Sequence, residues 1–289
     1  MSIPVMWHLL RERLAWRLQP RVPEPDMLMK SEQQTDAFFE AGHGSGVLAF
    51  VYFYNALQIS PLLRPGDRVL DLACGPANQL EVLARIHPQT QFVGMDASTA
   101  MLSRARRTLD AAAVHNVKLM HGDMCRLIPL ADASVDCVMC TLSLHHLPDT
   151  DALRATLREL RRVLKPQGGI YLMDFGRLKC HSTQHFFARD LQQSPQFTQD
   201  YFNSLRAAFS VDELSAAAAE LAPALSRHVT LLAPFLVAFR SAARQPLDAP
   251  TMQRIQTLFA SLSPQQQANF RGLASWFGAS GWALPCALT

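Results

Sequence analysis

Apolar residues follow two rhythms along this chain, and the change between them divides it into blocks. Near the amino end Trp7, Leu10, Leu14 and Leu18 recur at helical spacing with arginines between them, which predicts an amphipathic helix. Pro20, Pro23 and Pro25 stop it. A second helix is expected over roughly residues 32–41, ending in the turn Gly42-His43-Gly44-Ser45-Gly46. Phe50, Tyr52, Phe53 and Tyr54 open a third helix that leads to Pro65-Gly66. Together residues 1–60 read as a helical cap.

Beyond Gly66 short β-prone runs alternate with helical stretches as far as Phe175, the pattern of a parallel sheet with crossover helices. Leu153, Leu157, Leu160 and Leu164 mark one face of a helix over residues 152–164, which stops at the breakers Lys165-Pro166-Gln167-Gly168-Gly169. Ile170 to Asp174 is the fifth strand. Residues 177–226 are again helical, and 245–289 read as an appendix of two helices, Met252–Leu262 and Pro264–Trp276.

The most informative stretch is Arg68-Val69-Leu70-Asp71-Leu72-Ala73-Cys74-Gly75-Pro76-Ala77-Asn78-Gln79. A strand stops at an acid, passes through small residues and restarts as a helix, a geometry that brings backbone N–H groups up to a ligand. Phe92-Val93-Gly94-Met95-Asp96 is a second strand ending in an acid, His121-Gly122-Asp123-Met124 is a third acidic turn, and Ser134-Val135-Asp136-Cys137-Val138-Met139-Cys140 is a fourth strand.

With these motifs in order, and with L-H-H-L-P-D and L-K-P-Q-G-G-I-Y-L-M-D after them, residues 66–176 resemble the core of a class I S-adenosylmethionine-dependent methyltransferase, close to the type that acts on small molecules and quinones. The resemblance implies an α/β, Rossmann-like three-layer sandwich. Its mostly parallel seven-stranded sheet would end in an antiparallel hairpin, here Val229–Leu232 and Phe235–Phe239, inside a core of 61–176 plus 227–244. It also implies S-adenosylmethionine as cofactor and S-adenosylhomocysteine as product. The implied cofactor residues are Asp71, Ala73, Gly75, Asn78 and Gln79 in the first loop, Asp96, Ala97 and Met101 after the second strand, Asp123 and Met124 at the adenine, Thr141 and Leu142 after the fourth strand, and Tyr54 from the entering helix. Ala73 and Ala77 stand where the family usually has glycine, and a G-x-G-x-x-G dinucleotide loop is absent.

His145 and His146 follow at the mouth of the implied site and are the candidate proton acceptors, since imidazole titrates near neutrality. Ser143, Arg177, Arg189, Tyr201 and Asn203 are candidates to orient an acceptor. The apolar content of 177–226, including Phe186, Phe187, Tyr201, Phe202 and Leu205, exceeds what a surface connection needs. That segment is therefore expected to cover the site as a lid, together with residues 47–57.

Composition narrows the rest. A chain of 289 residues with 49% hydrophobic content is built to pack, and a net charge of +3 gives no electrostatic case for nucleic acid. No secretory-type apolar region opens the chain and no stretch is long enough to span a bilayer, so a cytoplasmic protein is expected. The basic first helix also reads as a membrane-surface element. Cys137 and Cys140, at an odd spacing on a strand, put their sulfurs on opposite faces, so no metal is expected there or at the paired histidines. The leading reading is methyl transfer to a small-molecule acceptor at oxygen, nitrogen, carbon or sulfur, in a protein compatible with a homodimer. The alternatives are a non-catalytic cofactor-binding regulator or partner subunit, and a nucleic-acid methyltransferase, which would lack its usual Pro-Pro-aromatic motif.

Overall fold

The computed structural model describes residues 3–25, 32–44, 46–189, 194–221 and 224–288. Three helices enter first: α1 (Ile3–Leu14), α2 (Glu32–Gly42) and α3 (Ala49–Ile59). The alternating core follows as β1 (Arg68–Leu72), α4 (Asn78–Ile86), β2 (Gln91–Asp96), α5 (Thr99–Ala111), β3 (Val117–His121), β4 (Val135–Thr141), α6 (Thr150–Val163) and β5 (Leu164–Phe175). Then come α7 (His181–Arg189), α8 (Pro195–Ala207), α9 (Val211–Ala218), β6 (Ser226–Val229), β7 (Leu236–Arg240), α10 (Ala249–Ser261) and α11 (Pro264–Gly278).

The strands form one seven-stranded sheet in the order β3-β2-β1-β4-β5-β7-β6, parallel from β3 to β5, with β7 antiparallel to both β5 and β6. Strand order reverses beside β1, which pairs β2 on one side and β4 on the other. In an open parallel sheet that reversal opens a crevice beyond the strand ends. The alternation of side chains along each strand divides the core into two layers. Cys137 and Met139 face the layer built with α3, α4 and α5; Val138 and Cys140 face the layer built with α6 and α9. The expected opposition of Cys137 and Cys140 is met.

Three boundaries differ from the sequence reading. Strand β5 begins at Leu164, six residues early, because a register shift against β4 absorbs the breakers: Val135 faces Leu164 and Cys137 already faces Gly169. Strand β6 ends at Val229, where a helpful hydroxyl replaces the expected continuation. Thr230 Oγ1 donates to the Ala233 carbonyl at 2.8 Å and accepts from the Leu236 amide at 3.1 Å, closing the turn over Leu231 and Leu232. Helix α10 starts at Ala249, three residues before the expected Met252, because Asp248 caps it. Phe259 and Phe270 pack on Phe53, and Phe277 stacks on Tyr54 at 5.4 Å, so α10 and α11 cover α3.

The loop after β1 takes an uncommon backbone path. Ala73, Gly75 and Ala77 all have positive φ, at 57°, 53° and 66°. The Cys74 amide donates to the Met95 carbonyl and the Gly75 amide to Asp96 Oδ2, each at 2.9 Å, which ties the loop to β2. An L-residue pays about 1–2 kcal/mol in this region, whereas glycine enters it freely but loses more entropy on ordering. Ala73→Gly and Ala77→Gly are therefore expected to leave stability unchanged or raise it by up to about 1 kcal/mol each in urea unfolding. A loss of more than about 1 kcal/mol would show that the methyls pack too well to give up.

Candidate functional site

The crevice holds a cavity of about 470 Å³, within the range of small-molecule sites. Asp96, Ala97, His121 and Asp123 line its polar side; Leu72, Met95, Met124, Leu147 and Ala152 line its apolar side. Asp96 ends β2 and is held from behind, its Oδ2 by the Gly75 amide and its Oδ1 by the Ser98 amide at 2.8 Å. Burial pushes its carboxyl above the usual range, against the pull of those amides and of His146. Asp123 closes its own turn by accepting from the Cys125 amide at 2.8 Å. Asp71 is fully buried one strand away. Burial, and then the neighbouring Asp96, drive its carboxyl well above the ordinary value, and its Oδ2 has no hydrogen-bond partner among the described residues.

A second, enclosed pocket adjoins the first at His146, which lines both. Its other walls are Phe38 of α2, Leu48, Leu142, His145, Phe175, and Phe197, Asp200, Tyr201 and Ser204 of α8. Leu142 turns into it with φ at 52°, which brings the short helical turn Leu144–His146 under α8. Within the 177–226 segment, expected as a lid, α8 lines this pocket. Leu214 and Ala217 of α9 belong instead to the core layer under α6.

Residues 15–25, which follow α1, supply what the sequence did not reveal. They cross the pocket as a strap, and Glu24 joins His146 Nδ1 through one carboxylate oxygen and Ser204 Oγ, at 2.7 Å, through the other. Arg21 donates to the carbonyls of His145, Leu147 and Pro148 and to that of Ala207. His145 is held from the sheet: Asp174, at the end of β5, meets its ring Nδ1 at 2.7 Å and its amide at 2.9 Å. Burial works against the charged form of both partners. It acts to raise Glu24, but the His146 hydrogen bond and the two nearby histidines win and hold the carboxyl at about 2. It acts to lower His145, yet Asp174 and Glu24 raise that ring above its ordinary value. Donor atoms of Glu24, His145 and His146 fall within 4.8 Å of one another, a spacing that a metal ion could draw together. The groups already satisfy one another by hydrogen bonds, however, and the Arg21 guanidinium beside them opposes a further cation. The arrangement is better matched to moving a proton.

Of the residues expected to hold a cofactor, Ala73, Asp96, Ala97, Asp123 and Met124 line the large cavity, and Leu142 lines the smaller pocket. Asp71, Gly75 and Thr141 support the strand ends behind them. Asn78 and Gln79, at the start of α4, donate instead to the Phe39 and Tyr52 carbonyls, so they anchor α2 and α3. Met101 is buried in the first turn of α5, where its amide caps on Ser98. Tyr54 is not brought to the site. It sits fully buried among Phe270, Phe277 and Trp282, because α3 turns that face to the carboxyl-terminal helices; Tyr52 is the helix's aromatic near Asp71.

Among the expected acceptor residues, Tyr201 lines the pocket and Ser143 lies beneath it, donating to the Thr141 carbonyl. Arg177 is paired to Glu213 at 2.5 Å, Asn203 accepts from Gln199 along α8, and Arg189 is exposed at the end of α7; these three belong elsewhere. Glu24, Asp174, Asp200 and Ser204 were missed. Asp174 had a signal, an acid ending a strand like Asp71 and Asp96. Glu24 had none beyond its place between Pro23 and Pro25.

Residues 69–168 match the family described as a methyltransferase domain. A demethylmenaquinone methyltransferase of Listeria welshimeri is 37% identical over 113 residues, 39% of this chain and 46% of that one. Another, from Geobacillus stearothermophilus, is 36% identical over 107 residues, 37% of this chain and 44% of that one. The chain thus spans less than half the length of these curated relatives. In fold, it is similar to a SAM-dependent methyltransferase from Aquifex aeolicus, with a TM-score of 0.54 at 16% identity over 73% of this chain and 98% of that one.

The strap makes a pH-dependent contact whose sign can be worked out. Glu24, held at about 2 against an ordinary 4.5, favours the folded state fully above pH 4.5, and the contribution disappears as pH falls toward 2. His145, raised above 6.5, favours the folded state below pH 6.5 and loses that effect as pH rises through its higher folded value. Glu24→Gln should therefore melt lower than the natural protein above pH 4.5, with the gap closing toward pH 2. Melting curves that run parallel across that range would remove Glu24 from this contact.

Proposed function

We propose, from the match of residues 69–168 to a methyltransferase-domain family, that the chain transfers a methyl group from S-adenosylmethionine to a small-molecule acceptor by in-line displacement. The observation that carries this reading is the meeting of two cavities at His146, a large one at the strand ends with Asp96 and Asp123 on its wall and a small one beneath α8.

The residues of the larger cavity suit S-adenosylmethionine. Asp96, held from behind by backbone amides including those of Gly75 and Ser98, retains lone pairs on its cavity side for the ribose hydroxyls. Asp123 and Met124 would take the amine and the face of adenine. The unpartnered Asp71 Oδ2 supports binding of an ammonium group, directly or through water, at the methionine end. When bound, the cofactor supplies an electrophilic methyl group on sulfur. The chain's own work is then to align, dry and deprotonate. Phe38, Leu48, Phe175, Phe197 and Tyr201 give the smaller pocket an apolar, aromatic lining that excludes water; at about 20 Å³ it must widen at α8 to admit an acceptor ring. Its similarity to demethylmenaquinone methyltransferases supports a quinol-like acceptor, methylated at carbon or oxygen. His146, oriented by Glu24, takes the acceptor's proton, and His145, locked by Asp174, fixes the turn that carries it.

Methyl transfer is tested by incubating the protein with S-adenosylmethionine and a panel of hydroxylated aromatics, and by mass spectrometry for the methylated product and S-adenosylhomocysteine. Cofactor binding without any turnover would favour a regulator. Asp96→Ala should weaken S-adenosylmethionine by about 1–3 kcal/mol in calorimetry, the scale of lost charge-assisted hydrogen bonds; equal affinity in the folded variant would take Asp96 out of the ribose site. Tyr201→Ala should lower acceptor turnover on the order of tenfold while cofactor affinity changes by less than about 0.5 kcal/mol. Full activity in that variant would detach α8 from the acceptor.

A further inference from the structure

Seven of the large hydrophobic side chains that face solvent among the described residues lie together between residues 6 and 22: Met6, Trp7, Leu10, Leu14, Trp16, Leu18 and Val22. Only Ile128 and Leu231 join them from elsewhere. Scattered exposed leucines need no explanation, but a contiguous set of this kind does. We propose that the outward face of α1 and the start of the strap form a docking surface for an anionic lipid bilayer.

The helix is fixed in a way that commits this face to solvent. Leu9 is fully buried against Leu178 and Ala233, and Glu12, beside it on the wheel, accepts from the Lys179 and Cys180 amides at 2.8 Å each. His8 stacks on Phe186 at 4.3 Å. With that side anchored, the turn of about 100° per residue sends Met6, Leu10, Leu14 and Trp7 to the opposite side. Arg13 then borders the apolar strip along one edge and Arg11 along the other, both exposed. Trp16 follows at 97% exposure, next to Arg17 and Leu18. No carboxylate offsets them, since Glu12 is the only acid between residues 3 and 22 and it points inward.

An apolar strip with tryptophans, edged by guanidinium groups, matches the boundary of a bilayer, where indole and arginine side chains settle among headgroups. The charge also selects among occupants. A second copy docked through the same face about a two-fold axis would set these arginines against their own images, whereas anionic headgroups would neutralise them. The face continues into the strap that carries Arg21 and Glu24 to His145 and His146, so the bilayer would hold the segment that closes the pocket. The helix lies on the membrane without crossing it; no helix among the described residues is long and apolar enough to span one.

The test is co-sedimentation of the full chain with vesicles of phosphatidylcholine alone or mixed with phosphatidylglycerol, a readout independent of methyl transfer. Binding is expected on the mixed vesicles, weaker on neutral ones and reduced by salt, with a blue shift of tryptophan emission. Combined Trp7→Ser and Leu14→Ser should weaken it by tenfold or more. Replacing Arg11, Arg13 and Arg17 by Gln should cost on the order of fivefold per arginine and abolish the preference for anionic lipid. Neither set touches the pocket, and circular dichroism checks the fold of each. Absence of binding and of the emission shift in the natural protein would overturn the proposal. So would undiminished binding of the folded serine variant, or a dimer in sedimentation velocity that the same substitutions dissociate, which would assign the face to a second copy.

Discussion

Three carboxylates at the carboxyl ends of strands in one sheet set the terms for the rest of this molecule. Asp71, Asp96 and Asp174 close β1, β2 and β5; Asp71 and Asp174 are buried, and Asp96 is half-buried at the cavity wall. An isolated charge there would be costly, so each acid must be protonated, hydrogen-bonded or left for a ligand. The three take different routes. Asp174 is satisfied by His145 and by backbone amides. Asp96 is satisfied behind and open in front. Asp71 keeps one oxygen without a partner. The acids left with open valences, Asp71 and Asp96, sit on the adjacent strands β1 and β2 beside the crevice, whereas the satisfied Asp174 lies beyond β4 under the strap.

The left-handed loop and the strap both follow from this arrangement. The Gly75 amide reaches Asp96 only because Ala73, Gly75 and Ala77 bend the chain back over β2. On the other side, the Asp174–His145 pair presents a ring to the strap, and Glu24 enters between the two histidines with Arg21 gripping the carbonyls beneath. Charges that would be expensive singly are arranged in opposite pairs inside an apolar enclosure. Their net effect is to pin a proline-rich segment across the pocket, with Ser204 of α8 as its second attachment.

Much of this was legible beforehand where the physics is local. Runs ending in acids announced β1 and β2, a further β-prone run announced β4, and the odd spacing of Cys137 and Cys140 fixed their opposite faces. What escaped depends on contacts distant in sequence. Nothing local marks Glu24 as a partner of His146, 122 residues away. Tyr54 and Tyr52 are two apart on one helix, and only the packing of α11 decides which of them turns away from the crevice. Arg177 is an attractive anion-binding residue until Glu213, arriving from α9, claims it. The strand β6 was misplaced for a subtler reason, since a single hydroxyl, Thr230, ends it before the apolar pair Leu231-Leu232.

The central claim is that one ligand spans the crevice from Asp123 through Asp96 to the pocket under α8. A crystal structure with S-adenosylhomocysteine tests it most directly. The account predicts adenine beside Asp123 and Met124, ribose hydroxyls on Asp96, the amino-acid end near Asp71, and the sulfur facing the junction at His146. Density for the nucleoside elsewhere, or a sulfur turned away from that junction, would contradict it.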